Sequence, residues 1–364
     1  MTFTSGRSEL ALRGQRGYVL VEMLVSIAII GALLGVLLQF AIAAQEAVTV
    51  QADVADLQQR LRVAAEALRH DLLAAGAGGV NGPLADAFAP ILPARTGSAG
   101  ADPELSAHAD RISITYVPDT RSQTALTIGM GGPGAPLAID PNAPGCPADG
   151  SCGFTRGDRA LVFSAGAHDV FTVADVSGSS ATISPAAALS HTYPAGSRVV
   201  GVVQRVYYLD RPGKRLMLYD GDRSDLPLVD HVVDLRFTYY VDPAADAVRP
   251  PPADGSSCAY APGTPPVPLL DDLGGLAPTL VPPSRLTDGP VCGLSPHRFD
   301  ADLLRVRRIG VTVRLETESA ALRGSGPAFL TRGTSAGGAK YVPDLQVTFD
   351  VAPRNMPAFA GRGH

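Results

Sequence analysis

A single carboxylate, Glu22, lies near the start of the most apolar stretch of the chain, GQRGYVLVEMLVSIAIIGALLGVLLQFAIAA, which runs from Gly14 to Ala44. From Met23 to Ala44 the only strongly polar side chain is Gln39. About 22 helical residues at about 1.5 Å each would cross a hydrocarbon core about 30 Å thick. An ionised carboxylate inside that core is costly unless a cation neutralises it. This pattern therefore favours ion pairing between Glu22 and a cationic group.

The residues before this stretch offer a source for that cation. They form a basic leader with three arginines and one acid: Arg7, Arg13, Arg16 and Glu9. Under the positive-inside rule the leader stays in the cytoplasm and everything after Ala44 is exported. Cleavage between Gly17 and Tyr18 would leave a new ammonium on Tyr18, so that the carboxylate of one subunit could meet the amine of the next in a bundle. The alternatives are a signal peptide cut after the span, in AIAAQEA, and an uncleaved signal anchor with an incidental acid.

The stretch RGYVLVEMLVSIAII resembles the type III signal of type IV pilin-like proteins: a basic leader, a glycine, an aromatic or apolar first mature residue, a fifth-position glutamate and an apolar helix. The resemblance implies that prepilin peptidase cuts between Gly17 and Tyr18 and N-methylates Tyr18, and that Glu22 aids docking into a growing filament. Tyr18 stands where phenylalanine is usual, and Gln39 stands where major pilins often have a helix-kinking proline. The missing proline fits a minor pilin or a pseudopilin better than a bulk subunit.

The helix is expected to continue beyond the membrane. Apolar residues recur in steps of three and four, at Val50, Val54, Leu57, Leu61, Ala64, Leu68 and Leu72. This spacing predicts one buried stripe, and Gly76 is a plausible C-terminal stop. Because the stripe lasts barely three heptads, packing on the chain's own sheet is favoured over a coiled-coil dimer stalk.

The remainder of the chain is rich in glycine and proline and lacks tryptophan, which is typical of a loop-rich β domain. After a loop in residues 75–104, strands are predicted in DRISITYV, TALTIGM, RALVFSA, DVFTVADV, SATISPA, SRVVGVVQRVYYLD and KRLMLYDG, the last two forming a hairpin. The longest predicted strands are Val229 to Val241, Leu303 to Thr317 and Tyr341 to Val351.

The predicted fold is α+β and pilin-like: an N-terminal helical spine, transmembrane in its first half, packed on an antiparallel β domain. Its parts are a leader (1–17), a transmembrane half (18–44), a periplasmic half (45–76) and a globular domain (77–364) with a proline-rich insertion (242–297).

The downstream pattern is similar to PilW-type minor pilins. It comprises GDRALVFSAGAHDVFTVADVSG, YPAGSRVVGVVQRVYYLD, LVDHVVDLRFTYYVD, LLRVRRIGVTVRL and VAPRN, together with DLLAAG at the end of the helix. The resemblance implies a structural, non-catalytic subunit that is inserted in the inner membrane with its C-terminal domain in the periplasm and then enters or primes a type IV pilus. Its partners would be major and other minor pilins, prepilin peptidase, the inner-membrane assembly platform and membrane lipid. The alternatives are a J-class pseudopilin of type II secretion and a signal-anchored periplasmic binding module or adhesin.

Four cysteines lie on the exported side. Cys146 and Cys152 close the short loop CPADGSC, and Cys258 and Cys292 bracket most of the insertion, which holds thirteen of the 31 prolines. In an oxidising compartment we expect Cys146 to pair with Cys152 and Cys258 with Cys292, one of three possible connectivities. A zinc site is the alternative, but no CxxC pair occurs and the seven histidines are scattered.

Motifs for other chemistry are weak, so no cofactor or metal is expected and the chain is predicted not to be an enzyme. GMGGPG (129–134) matches a dinucleotide-binding pattern, but Pro133 and the residues after it do not favour the required helix. GTSAG matches the nucleophile-elbow pattern around Ser335, but it lies in a glycine-rich connection. DGDRSD (220–225) could bind calcium through Asp220, Asp222 and Asp225, but it has no EF-hand spacing and a solvated turn is favoured. The formal charge is −5, and without a leader worth +2 the chain carries about −7. Nucleic-acid binding is therefore not expected.

Overall fold

The computed structural model describes ten stretches of the chain: residues 18–77, 89–97, 100–118, 123–164, 167–221, 224–243, 277–289, 291–292, 298–323 and 342–356. The chain divides into two compact units, Met1–Ala55 and Asp56–His364. Helix α1, Tyr18–Ala74, contributes to both units.

The first unit contains the apolar part of α1. Its residues Leu20–Ile42 form a 23-residue stretch with a mean hydropathy of 2.5, and the most apolar part of this stretch has no buried residue. By length and composition this is the one helix among the described stretches that could cross a membrane. It is the segment in which the sequence predicted a spanning helix.

In the second unit the last turns of α1 bury one face. Leu57, Ala64, Leu68 and Leu72 are fully buried, whereas most residues between them face solvent. These positions belong to the predicted apolar stripe, so the expectation of a covered face is confirmed here. After the helix ends at Ala74, Gly76 adopts a φ of +75°, which favours glycine at a helix C-terminus.

Where the structure describes it, the rest of the second unit contains strands and short 3-10 turns. The described strands are β1 Ile91–Leu92, β2 Arg111–Tyr116, β3 Gln123–Ala125, β4 Leu137–Ala138, β5 Arg159–Ser164, β6 Ala167–Ser177, β7 Thr182–Pro185, β8 Arg198–Gly201, β9 Val203–Asp210, β10 Arg215–Tyr219, β11 Asp225–Asp230, β12 Val232–Val241, β13 Thr279–Val281, β14 Val291–Cys292, β15 Phe299–Asp300, β16 Val306–Leu315 and β17 Leu345–Val351. The described 3-10 turns are Pro283–Leu286, Ala301–Arg305 and Ala320–Leu322.

These strands form four antiparallel groups. One sheet has the order β1-β2-β9-β10-β11, a second β13-β12-β16-β17 and a third β3-β8-β5-β6-β7-β4, while β14 and β15 make a two-stranded ribbon. The first two sheets meet where the Phe237 N–H donates to the carbonyl of Ala109 at 2.7 Å. The α+β class with an antiparallel β domain is therefore confirmed.

The six-stranded sheet curls until its two edge strands meet. Leu126 and Ile139 form a β-bridge, and the N–H of Thr127 donates to the carbonyl of Ala138 at 2.9 Å. The curled sheet encloses an apolar core that includes Leu126, Leu137, Ile139, Phe154, Val162, Phe171, Ile183, Tyr193 and Val199. Its interior is thus filled by its own side chains.

The curled sheet is an insertion between two paired strands. β2 and β9 are neighbours in the five-stranded sheet, with Tyr116 opposite Val203. The chain between those two residues includes all six strands of the curled sheet. One small apolar cluster, Val117, Leu161, Val200 and Val202, lies at the junction.

Two of the long predicted strands are interrupted. The run from Val229 to Val241 is two strands, because His231 has a φ of +59° and the chain passes there from one sheet to another. The run from Leu303 begins in the 3-10 turn Ala301–Arg305 and becomes β16 only at Val306. The hairpin of β9 and β10 forms, with Asp210 opposite Arg215.

Two predicted irregular segments contain sheet strands. The proline-rich insertion 242–297 contains β13, which pairs with β12 and so adds a strand to the four-stranded sheet. Leu286 in the insertion is 2% exposed, and residues 244–276, 290 and 293–297 lie outside the described stretches. The predicted loop of residues 75–104 contains β1, which pairs with β2.

Candidate assembly site

Glu22 is exposed on the apolar part of α1. The chain from Tyr18 to Gln59 contains no lysine, arginine or histidine, so this stretch of helix offers Glu22 no cation. Tyr18 is the first residue of α1, and Gly17 lies outside the described stretches. Residues four apart lie on one helix face, and Tyr18, the first residue of α1, is four residues before Glu22. A cation at the start of the helix would therefore be the nearest one to Glu22.

The helix surface around Glu22 is apolar on all sides. Large hydrophobic side chains are exposed along the whole stretch: Leu20, Val21, Met23, Leu24, Val25, Ile27, Ile29, Ile30, Leu33, Leu34, Val36, Leu37, Leu38, Phe40 and Ile42. A helix that is hydrophobic all round requires an apolar environment, supplied by lipid or by other helices. The attraction within an ion pair at Glu22 would be strongest in such an environment, because its dielectric constant is low.

A second carboxylate on α1, Asp71, is held inside the second unit. It is 6% exposed and accepts hydrogen bonds from the hydroxyls of Tyr116 at 3.0 Å and Tyr207 at 2.6 Å. Burial, followed by the charge of Asp71, raises the pKa of Tyr116 to about 12 and the pKa of Tyr207 still further above its ordinary value. Both hydroxyls therefore remain donors and connect the helix to β2 and β9.

Sequence analysis did not single out Asp71. The available signal was its spacing, because Asp71 lies three residues after Leu68 and next to Leu72, on the side of the helix that carries the apolar stripe. A carboxylate on a buried stripe requires hydrogen-bond donors from whatever packs there. Its two tyrosine donors are distant in sequence and could not be assigned from it.

The disulfide residues lie at two places in the β domain. Cys146 and Cys152 form a disulfide beside the core of the curled sheet, as their spacing suggested. Cys292 on β14 is disulfide-bonded, and Cys258, the expected partner, lies outside the described stretches.

The other motifs lie in described loops and strands only in part. Gly129–Gly134 is a loop with no helix after it, and its Met130 N–H donates to the carbonyl of Tyr193 at 2.9 Å. Asp225 accepts from Arg95 at 2.8 Å and from the Tyr208 hydroxyl at 2.6 Å, while Asp222 and Ser335 lie outside the described stretches. Within the described stretches no three His, Cys, Asp or Glu side chains are grouped as metal ligands.

Comparisons with known proteins return no relative of this chain. No family model, no curated protein and no solved structure matches it. Any function assigned to the chain therefore rests on its own residues.

Proposed function

We propose that this protein is a minor pilin of the PilW-like type, which assembles into a type IV pilus or primes its assembly. Its role is structural and not catalytic. The observation that carries the proposal is the pairing of two properties in one helix, α1. Its first part exposes an apolar surface with a single carboxylate, and its last turns are packed on an antiparallel β domain.

Glu22 supports an assembly role because the helix supplies no cation for it. In an apolar bundle of such helices, an ionised carboxylate needs a partner from another molecule. An ammonium on Tyr18 of a neighbouring subunit, produced by cleavage after Gly17, meets that need. The ion pair then sets the axial position at which one subunit docks against the next.

The proposed route begins in the inner membrane, with a single span and the β domain in the periplasm. Prepilin peptidase removes residues 1–17, and the assembly platform passes the subunit to major and other minor pilins. Two candidate functions stay open beside this one: a J-class pseudopilin of type II secretion, and an anchored periplasmic binding module that never enters a filament.

The first test is the mature N-terminus, measured by mass spectrometry on protein from membranes of cells with and without prepilin peptidase. We expect a peptidase-dependent start at N-methylated Tyr18. Gly17→Val should abolish the cut, and Gly14→Val, three residues earlier in the leader, should leave it intact. A start at Met1 in both strains, or a cut after the span, would rule out the filament subunit and favour the anchored module.

A further inference from the structure

Two adjacent carboxylates are buried beside the proline-rich insertion, at the 3-10 turn Ala301–Arg305 that leads into β16. Asp300 is 1% exposed and Asp302 is fully buried. The carboxylate of Asp300 has donors, since it accepts the Asp302 N–H at 2.8 Å and the Gly289 N–H at 2.6 Å. Both oxygens of Asp302 are buried and accept no hydrogen bond from the described stretches.

The charged groups around Asp302 do not compensate for this lack of donors. Asp300 and Asp288 repel its ionised form, whereas Arg305 and Arg285 attract it without donating a hydrogen bond to it. Burial, followed by the charge of Asp300, raises the pKa of Asp302 to about 8.

The charges on the adjoining strands have their own interactions. Just beyond the end of β12, Asp242 donates its N–H to the carbonyl of Arg305 at 3.0 Å, and its charge interacts with Arg307 of β16. These groups bind the turn to the four-stranded sheet and give Asp302 no donor.

We propose that Asp302 is a neutral carboxylic acid in the folded protein, and that its ionisation loosens the turn Ala301–Arg305 together with the chain that Asp300 holds at Gly289. A neutral acid can be buried at moderate cost, but an ionised carboxylate without donors, next to a second carboxylate, cannot. The contact between this turn and Gly289 of the insertion is therefore pH-sensitive: it is intact in acid and weakened in alkali.

The direction of the pH effect follows from the pKa. The pKa of Asp302 rises from 3.8 to about 8 on folding, so the folded protein binds a proton that the unfolded chain releases. The resulting stability is fully present below the ordinary carboxyl pKa and is lost progressively as pH rises to about 8.

The test uses the full-length protein in detergent micelles and the isosteric variant Asp302→Asn. We expect the thermal midpoint of the wild type to fall by about 4 °C more than that of the variant between about pH 5.5 and about pH 8.5. Amide exchange in residues 299–305, corrected for its intrinsic pH dependence, should accelerate about 10-fold in the wild type alone. Asp175→Asn, which removes an exposed carboxylate on β6, should behave as the wild type.

Infrared spectra give a second readout that does not require the variant to fold. The wild type at neutral pH should show the carbonyl band of a protonated carboxylic acid that disappears with a midpoint near pH 8. Absence of that band, or equal pH dependence in wild type and Asp302→Asn, would overturn the proposal. The proposal would also be overturned if added Ca²⁺ raised the thermal midpoint of the wild type but not that of the variant, because Asp302 would then be a cation ligand.

Discussion

Glu22 and Asp71 are carboxylates on the same helix with opposite surroundings. Asp71 is buried and satisfied by two tyrosine hydroxyls of its own subunit. Glu22 is exposed, and the first cationic side chain after it in the helix is Arg60. In our proposal Asp71 stabilises the subunit and Glu22 joins one subunit to another.

Replacing Glu22 should separate these two roles. We expect Glu22→Ala and Glu22→Gln to lower the amount of this protein in sheared filaments about 10-fold, a change worth about 1.4 kcal/mol, because the ion pair with the next subunit is lost. The membrane level and the cut after Gly17 should not change. Ser26→Ala, one turn further along the same helix face, serves as control, and equal filament content in all variants would contradict the assembly role.

Residue type and spacing alone are enough to single out Glu22 and the short cysteine loop. Both depend on nearby residues, namely the apolar span around Glu22 and the six-residue separation of Cys146 and Cys152. Asp302 carries no such signal, since nothing in its neighbourhood along the chain shows that both its oxygens are buried without donors.

At the scale of elements, local patterns predicted most strands but not how they associate. The helix stripe and the hairpin of β9 and β10 follow from periodicity and a turn signal. The break at His231 carries no such signal, because non-glycine residues rarely adopt a positive φ. The closure of the curled sheet depends on the bridge between Leu126 and Ile139, which no local pattern specifies.

The contact between helix and sheet can be tested with two tyrosines that differ in their partners. Tyr207 donates to Asp71, whereas the hydroxyl of Tyr239 is fully buried without a partner in the described stretches. We expect Tyr207→Phe to lower the free energy of unfolding by about 1–3 kcal/mol, because Asp71 loses a donor. Tyr239→Phe should be neutral or stabilising. Urea unfolding followed by circular dichroism measures both, and equal losses would show that Tyr207 acts only through packing.

At the scale of the whole molecule, the curled sheet has its own core and is inserted between β2 and β9. We expect that replacing residues 117–202 by Asn-Gly, a two-residue hairpin turn, leaves the five-stranded sheet and its helix folded, because Tyr116 and Val203 are already opposite each other. The variant should unfold cooperatively and retain protection from amide exchange in β2 and β9. Loss of that protection would show that the junction around Val117 and Leu161 is required for folding.

The insertion also imposes an order on folding during export. In our proposal the β domain is exported, so β2 leaves the membrane before its partner β9 and the entire curled sheet is translocated between them. Because contacts close in sequence form before distant ones, the curled sheet can fold while β2 still has an unpaired edge. The five-stranded sheet can be completed only after β9 has emerged, so its assembly is timed by the passage of the inserted module.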